Sequence, residues 1–425
     1  MTVKETSLPM VLGGSPMGRF LQRQWPLFGE EERHNLMQVL DSGRWAFDGP
    51  FEAKFEGQFA SLQNAKYGLC VANGTIAIQL ALEALDIGAG DEVIVPGLTW
   101  QATAAAVLDV NATPVMVDAE PDTYCPDPSL IEAAITPRTK AIIVVHLYCS
   151  MTDMDRVLDI AKRNGLFVIE DCAHAHGSQW NGKGAGSIGD IGCFSFQLSK
   201  TLTGGEGGFV TTNDPALREA LYTLRNCGRR REGAIDSQWR PIQSGNYRMT
   251  EWQSAILLAQ LGRFEEQMER HEQNARILDK ELALIPGIAP MRVPEQMSRR
   301  NFYAYVFRYD ADEWDGLKAT SFRRALAEEV GVLIGTTYAP LNASPFYQPQ
   351  TKRRHHLNDE YWKMIDPSRF NLPVAQRAYH DEAMVVQHEI LLEDPERLLM
   401  LPAAIRKLRE YKAELLDWEA KSIQN

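Results

Sequence analysis

Cysteine is scarce and unpatterned. Six occur in 425 residues, at 70, 125, 149, 172, 193 and 227, and no CxxC pair is among them. That spacing suggests neither a metal site nor a dense disulfide framework, and reduced thiols in a cytoplasmic protein are the expectation. No apolar run reaches the roughly 18 residues of a membrane span. Met1 to Arg19 also lacks the basic stretch followed by a long apolar run that marks a secretory signal. Positive charge is in deficit, 44 Lys and Arg against 56 Asp and Glu, a formal net charge of -12. A nucleic-acid binder needs clustered Lys and Arg to meet phosphates. The clusters present are short: Arg229-Arg230-Arg231 and Lys352-Arg353-Arg354. The second reads as a solvated loop. The first follows Asn226-Cys227-Gly228 and is a candidate face for an anionic or polyol substrate. Internal repeats and low-complexity segments are absent, so solenoid and disordered classes fall away.

What is present is ordinary globular material, 44% hydrophobic and 24% charged, in a length that suits two domains. Between about Ser61 and Val210, apolar runs alternate with helical patterns. Val93-Ile94-Val95, Ala141 to His146 and Leu166 to Glu170 are apolar on both faces, as strands of a covered parallel sheet are. Thr75 to Leu85, Ala102 to Asp109 and Asp153 to Asn164 read as the intervening helices, the last stopped by Gly165. The alternation predicts right-handed βαβ units and an α/β fold. A charged pattern from Arg248 to about Leu284 predicts one or two amphipathic helices, ended by Pro286-Gly287. Beyond it come shorter strands, Tyr303 to Arg308 among them. The expected division is an N-terminal arm (1–25), a large domain (26–265) and a small C-terminal domain (266–425).

Three stretches carry chemistry. Asn73-Gly74-Thr75 precedes the helical run Ile76 to Leu82. A helix N-terminus offers unpaired N–H groups and a positive dipole end to a phosphate, although the triplet alone reads equally as a plain N-cap. Glu170-Asp171 ends the strand LFVIE, where ligands of open α/β sheets bind. A carboxylate there can pair with a protonated ring nitrogen; taken alone it is also a common helix cap. Finally Ser195 and Ser199-Lys200-Thr201 lead into Gly204-Gly205-Glu206-Gly207-Gly208. A buried Lys among hydroxyls and glycines suits a Schiff-base amine, whose pKa must fall for it to react.

In this order and spacing the sequence resembles the DegT/StrS sugar aminotransferases, with aminohydroxybenzoate synthase as a relative. The matching stretches are NGTIAIQLAL, GDEVIVPGLTW, IEDCAHAHGS, GDIGCFSFQLSK, GGEGGFVTT and NYRMTEWQSA, with weaker similarity in TTYAPLN and LPVAQRA. The resemblance implies the aspartate aminotransferase-like fold (PLP fold type I): a large domain with a mainly parallel seven-stranded sheet plus a smaller α/β domain. It further implies a homodimer, pyridoxal 5'-phosphate (PLP) as cofactor, and an active site shared between subunits. Lys200 is expected to hold PLP as a Schiff base and move the reaction's protons, and Asp171 to pair with the pyridine nitrogen. Trp100 is expected to stack on the ring, and His174 to reach its phenolic oxygen, with a weaker claim for His176. Gly74, Thr75 and Ser195 are expected to hold the phosphate, and Asn246 to reach the phosphate of the neighbouring subunit.

The related dehydratases carry His at the Lys200 position, so the Lys favours transamination. The amino donor is expected to be glutamine or glutamate and the acceptor a keto-sugar or keto-cyclitol. The segment MVVQHEILL resembles the inosose and aminohydroxybenzoate branch and tilts the acceptor towards an inosose. Arg229, Arg230, Tyr338 and His388 are substrate-site candidates. The alternatives are a carbocycle synthase or lyase of the aminohydroxybenzoate type and a non-catalytic PLP-fold regulator. Asp310 to Gly316 and Tyr347 to Met364 depart from the family pattern and are candidates for reshaping the substrate pocket.

Overall fold

The computed structural model describes residues 8–21, 24–231 and 242–423. Its centre is a seven-stranded sheet. In spatial order the strands are Tyr67–Val71, Gly208–Thr212, Ile191–Ser195, Phe167–Asp171, Thr139–Val145, Glu92–Pro96 and Thr113–Val117. Gly208–Thr212 runs against both its neighbours, and the remaining pairings are parallel. The parallel strands therefore present their carboxyl ends along one edge, which is where the site forms.

Alternation of side chains across each strand divides the interior into two cores. In Thr139–Val145, Ala141, Ile143 and Val145 enter one core, and Ile142 and Val144 the other. Because helices cover both faces, Glu92–Pro96 is buried along its whole length, as the apolar run Val93-Ile94-Val95 predicts, and so is Gly208–Thr212. The helices Gly74–Ala84, Ala102–Asp109 and Met154–Asn164 fall where the periodicity puts them. Asp153 caps the last, its side chain accepting from the Arg156 N–H, and Gly165 ends it in the left-handed conformation at φ 63°.

The amphipathic pattern after Arg248 forms one 32-residue helix, Glu251–Leu282, opened by Thr250 and Gln253 in a capping box. The expected domain division at 265 falls inside it. Leu257, Phe264 and Met268 pack into one core, and Ala275, Leu278 and Leu282 into the other. A single helix thus ties the large sheet to the C-terminal part. That part contains an antiparallel three-stranded sheet of Ile288–Pro290, Ala304–Tyr309 and Ala383–Gln387. The described residues of the N-terminal arm lie against it: Glu329 accepts from the Met10 and Met17 N–H groups, and Phe20 N–H donates to the Val330 carbonyl.

The segment Asp310 to Gly316 is largely exposed and sends one side chain into the C-terminal core. Its Trp314 is fully buried against Phe322, with ring centroids 4.9 Å apart. Tyr347 to Met364 forms short turns and the helix Asp359–Met364, whose Tyr361 hydroxyl donates to the Ala112 carbonyl at 2.9 Å. All six cysteines are free, and only Cys227 is exposed. Among the described residues no helix is long and apolar enough to cross a membrane.

Candidate active site

A cavity of about 570 Å³ opens at the carboxyl edge of the sheet. It is lined by Gly74, Thr75, Trp100, Asp171, His174, Ser195, Lys200 and Tyr338, residues drawn from widely separated stretches. Tyr303, Gln197, Ser199, Thr99 and Glu206 complete much of the remaining wall.

One end is the N-terminus of Gly74–Ala84. Asn73 caps this helix by accepting from the Ile76 N–H at 3.0 Å. A Cβ at position 74 would stand 2.7 Å from Ser195 Cβ, so only glycine lets the helix start approach the end of Ile191–Ser195 this closely. Helix N–H groups and the Thr75 and Ser195 hydroxyls together make a cradle for an anion.

On the neighbouring strand Asp171 is buried, and burial pushes its carboxyl above the usual range. The Thr103 hydroxyl donates to its Oδ2 at 2.8 Å, and the Ala173 N–H to its Oδ1 at 3.2 Å. Lys200 is 9% exposed; burial lowers its pKa to about 8, opposed by the Asp171 charge. Its Nζ lies 4.3 Å from the centroid of the Tyr303 ring. The Ser199 and Tyr303 hydroxyls are 3.1 Å apart, bracing both residues.

His174 stacks on Tyr303, with centroids 3.7 Å apart and planes 9° apart. Its Nδ1 accepts the Tyr148 N–H at 3.1 Å, which assigns the proton of the neutral ring to Nε2, 3.3 Å from the Tyr338 hydroxyl. Burial first, and Lys200 second, hold His174 neutral, well below the usual histidine range. The ring is therefore an N–H donor at Nε2. His176 sits behind the wall, its Nε2 2.9 Å from the Ser195 carbonyl, and orients that strand end. Trp100 forms the rim; it is 47% exposed and stands beside Tyr338 and Phe346, at 5.6 and 6.0 Å.

Arg229, Arg230 and Asn246 do not line this cavity in the single chain. They belong to the segment around the bridge between Asn226 and Asn246, where Arg248 donates to Asn226 Oδ1 at 2.9 Å. Asn246 is exposed. His388, expected at the substrate, lies elsewhere. Its ring is fully buried against Trp25 at 4.4 Å and His271 at 5.5 Å, and both of its nitrogens lack a hydrogen-bond partner among the described residues. The turn His388–Leu392 packs on the long helix, where Asn274 donates to the Leu391 and Glu393 carbonyls. This placement predicts that His388→Leu leaves the acceptor KM unchanged and does not lower the melting temperature, because it removes two unpaired buried polar atoms. A tenfold rise in KM would put His388 back at the substrate.

Tyr148, Tyr303, Asn301 and the pair Thr99 and Thr103 were not singled out from sequence. Only the threonines carried a signal, lying four apart where strand passes into helix. Asn301, which donates to the Thr201 hydroxyl at 3.0 Å, and Tyr303 come from beyond the long helix, and no local motif links them to Lys200.

Residues 26–390 match the family described as the DegT/DnrJ/EryC1/StrS aminotransferases. An L-glutamine:2-deoxy-scyllo-inosose aminotransferase of Streptoalloteichus tenebrarius is 39% identical over 409 residues, covering 92% of this chain and 96% of that one. An L-glutamine:scyllo-inosose aminotransferase of Streptomyces griseus is 38% identical over 422 residues, covering 96% and 99%. Among solved structures, 3-amino-5-hydroxybenzoic acid synthase superimposes with a TM-score of 0.76 at 30% identity, covering 91% of this chain and 98% of that one.

Proposed function

Because the chain belongs to the DegT/DnrJ/EryC1/StrS aminotransferase family, we propose that it uses PLP to transfer the amino group of glutamine to a keto-cyclitol of the inosose type. The observation that carries the reading is a Lys and an Asp, both buried, lining one cavity with the helix start and hydroxyls of an anion cradle. The relatives that act from L-glutamine on scyllo-inososes span nearly the whole chain and support the donor and acceptor classes.

The residues suit PLP. Gly74, Thr75 and Ser195 would take its phosphate, Asp171 its ring nitrogen, His174 Nε2–H its phenolic oxygen, and Trp100 one ring face. PLP, when bound, supplies the carbonyl that Lys200 condenses with and a ring that accepts electrons from the reacting carbon. Lys200 Nζ, released from that bond, is the base that takes a proton from the donor's α-carbon, and later the acid that returns one to the acceptor's carbon. In the cofactor-free site burial lowers its pKa to about 8, which favours the neutral amine that condenses. Asp171 would hold the ring nitrogen in its protonated, positive form. The net exchange is amine for ketone oxygen between the two substrates. We place Asn246, Arg229 and Arg230 at the partner subunit's cavity in a homodimer.

Adding glutamine to the PLP-loaded protein is expected to move the visible absorbance into the near ultraviolet, and an inosose to restore it. If neither glutamine nor glutamate moves the band, the transaminase reading fails and the synthase alternative takes its place.

A further inference from the structure

We propose that Thr103 is a positioning residue for Asp171: with Thr99 it forms a directed hydroxyl chain that holds the carboxylate and weakens its claim on the proton of the cofactor ring. The inference rests on the reading of the cavity as a PLP site.

Thr103 Oγ1 lies 2.8 Å from Asp171 Oδ2, and Thr99 Oγ1 lies 2.9 Å from Thr103 Oγ1. An ionised carboxylate only accepts, so Thr103 must give it the single hydroxyl proton. The Thr99 hydroxyl then donates to Thr103, and the chain runs from Thr99 through Thr103 to Asp171. All three side chains are buried, Thr103 completely, so water does not compete for these bonds. A hydrogen bond to a charged acceptor is stronger than a neutral one, and the preceding donor polarises it further.

The placement comes from the sheet. Asp171 ends the strand Phe167–Asp171, and Thr103 opens the helix that follows Glu92–Pro96, with Thr139–Val145 between those two strands. The Ala173 N–H takes Oδ1, so each carboxylate oxygen has one protein donor. Among the influences that hold the Asp171 pKa down against burial, Thr103 is the largest. A carboxylate that shares its charge with a hydroxyl is a weaker base. A proton lying between it and a ring nitrogen then stays on the nitrogen, which is the form that accepts electrons.

Valine has the shape of threonine without the hydroxyl. A residue that only fills space beside Asp171 tolerates Thr103→Val; one that donates to it does not. The test titrates the visible absorbance of the PLP-loaded protein against pH for wild type, Thr103→Val, Thr103→Ser and Thr99→Val. In Thr103→Val the ring nitrogen gives up its proton more readily and draws less charge from the Schiff-base nitrogen. The chromophore's midpoint is expected to rise by about one pH unit, the size that follows from losing a hydrogen bond to a charged group. Thr103→Ser is expected to restore the wild-type midpoint, and Thr99→Val to raise it by less. A folded Thr103→Val protein with the wild-type midpoint overturns the proposal, as does a Ser variant shifted as far as Val. If Thr103→Val does not fold, an unchanged midpoint in Thr99→Val overturns it. A wild-type chain that forms no chromophore with PLP overturns both this proposal and the functional reading beneath it.

Discussion

Lys200→Ala abolishes the visible PLP chromophore and lowers amine transfer by about 10³-fold. The effect is large because one atom carries two duties. Lys200 Nζ is the group placed to bond the cofactor, and it is also the group placed to move protons at the reacting carbon. Its setting fits both. Burial disfavours the ammonium and lowers the pKa to about 8, while Asp171 pulls the other way. The nucleophile is the neutral amine, whose fraction grows as pH rises through that value. PLP capture by the cofactor-free protein is therefore expected to accelerate as pH rises through about 8 and to level off above it. Stopped-flow absorbance checks this. A pH-independent capture rate, or a Lys200→Ala variant that retains turnover, removes Lys200 from the centre of the mechanism.

Asp171→Asn lowers turnover by about 10²- to 10³-fold and weakens PLP retention. An amide matches the carboxylate in size but carries no charge, so the positive ring nitrogen loses its counter-ion in a buried site where water cannot replace it. The amide oxygen can keep the Thr103 hydroxyl, but the amide NH2 then faces the Ala173 N–H that Oδ1 accepted, so a folded variant of lower melting temperature is expected. Turnover and the PLP concentration needed for half-reconstitution are the measurements. A variant that loses PLP affinity but recovers full turnover at saturating PLP would show that Asp171 holds the cofactor without activating it.

Much of the site was legible because its parts are local. Gly74-Thr75 stands at a helix start, Asp171 at a strand end, and Lys200 before a glycine-rich turn, and each of these can be read within a few residues. The partners of those parts were not. Thr103 and Asp171 are 68 residues apart in sequence, and their bond depends on which strands the sheet brings side by side. Tyr303 reaches Lys200 only because the chain returns from beyond a 32-residue helix. His388 was a substrate candidate through the resemblance of MVVQHEILL to the inosose branch; in the folded chain its ring is buried beside Trp25 and His271 and does not line the cavity.

The sequence by itself determined the α/β class, several of its strands and helices, and the candidate residues of the site, because periodicity, capping and short motifs act over a turn or a strand. Only the tertiary structure decided which side chains meet at the cavity, which titrating groups are buried there, and which polar residues stay outside. Hydrogen bonds between distant segments and loss of hydration on burial depend on packing, and packing is a property of the folded chain.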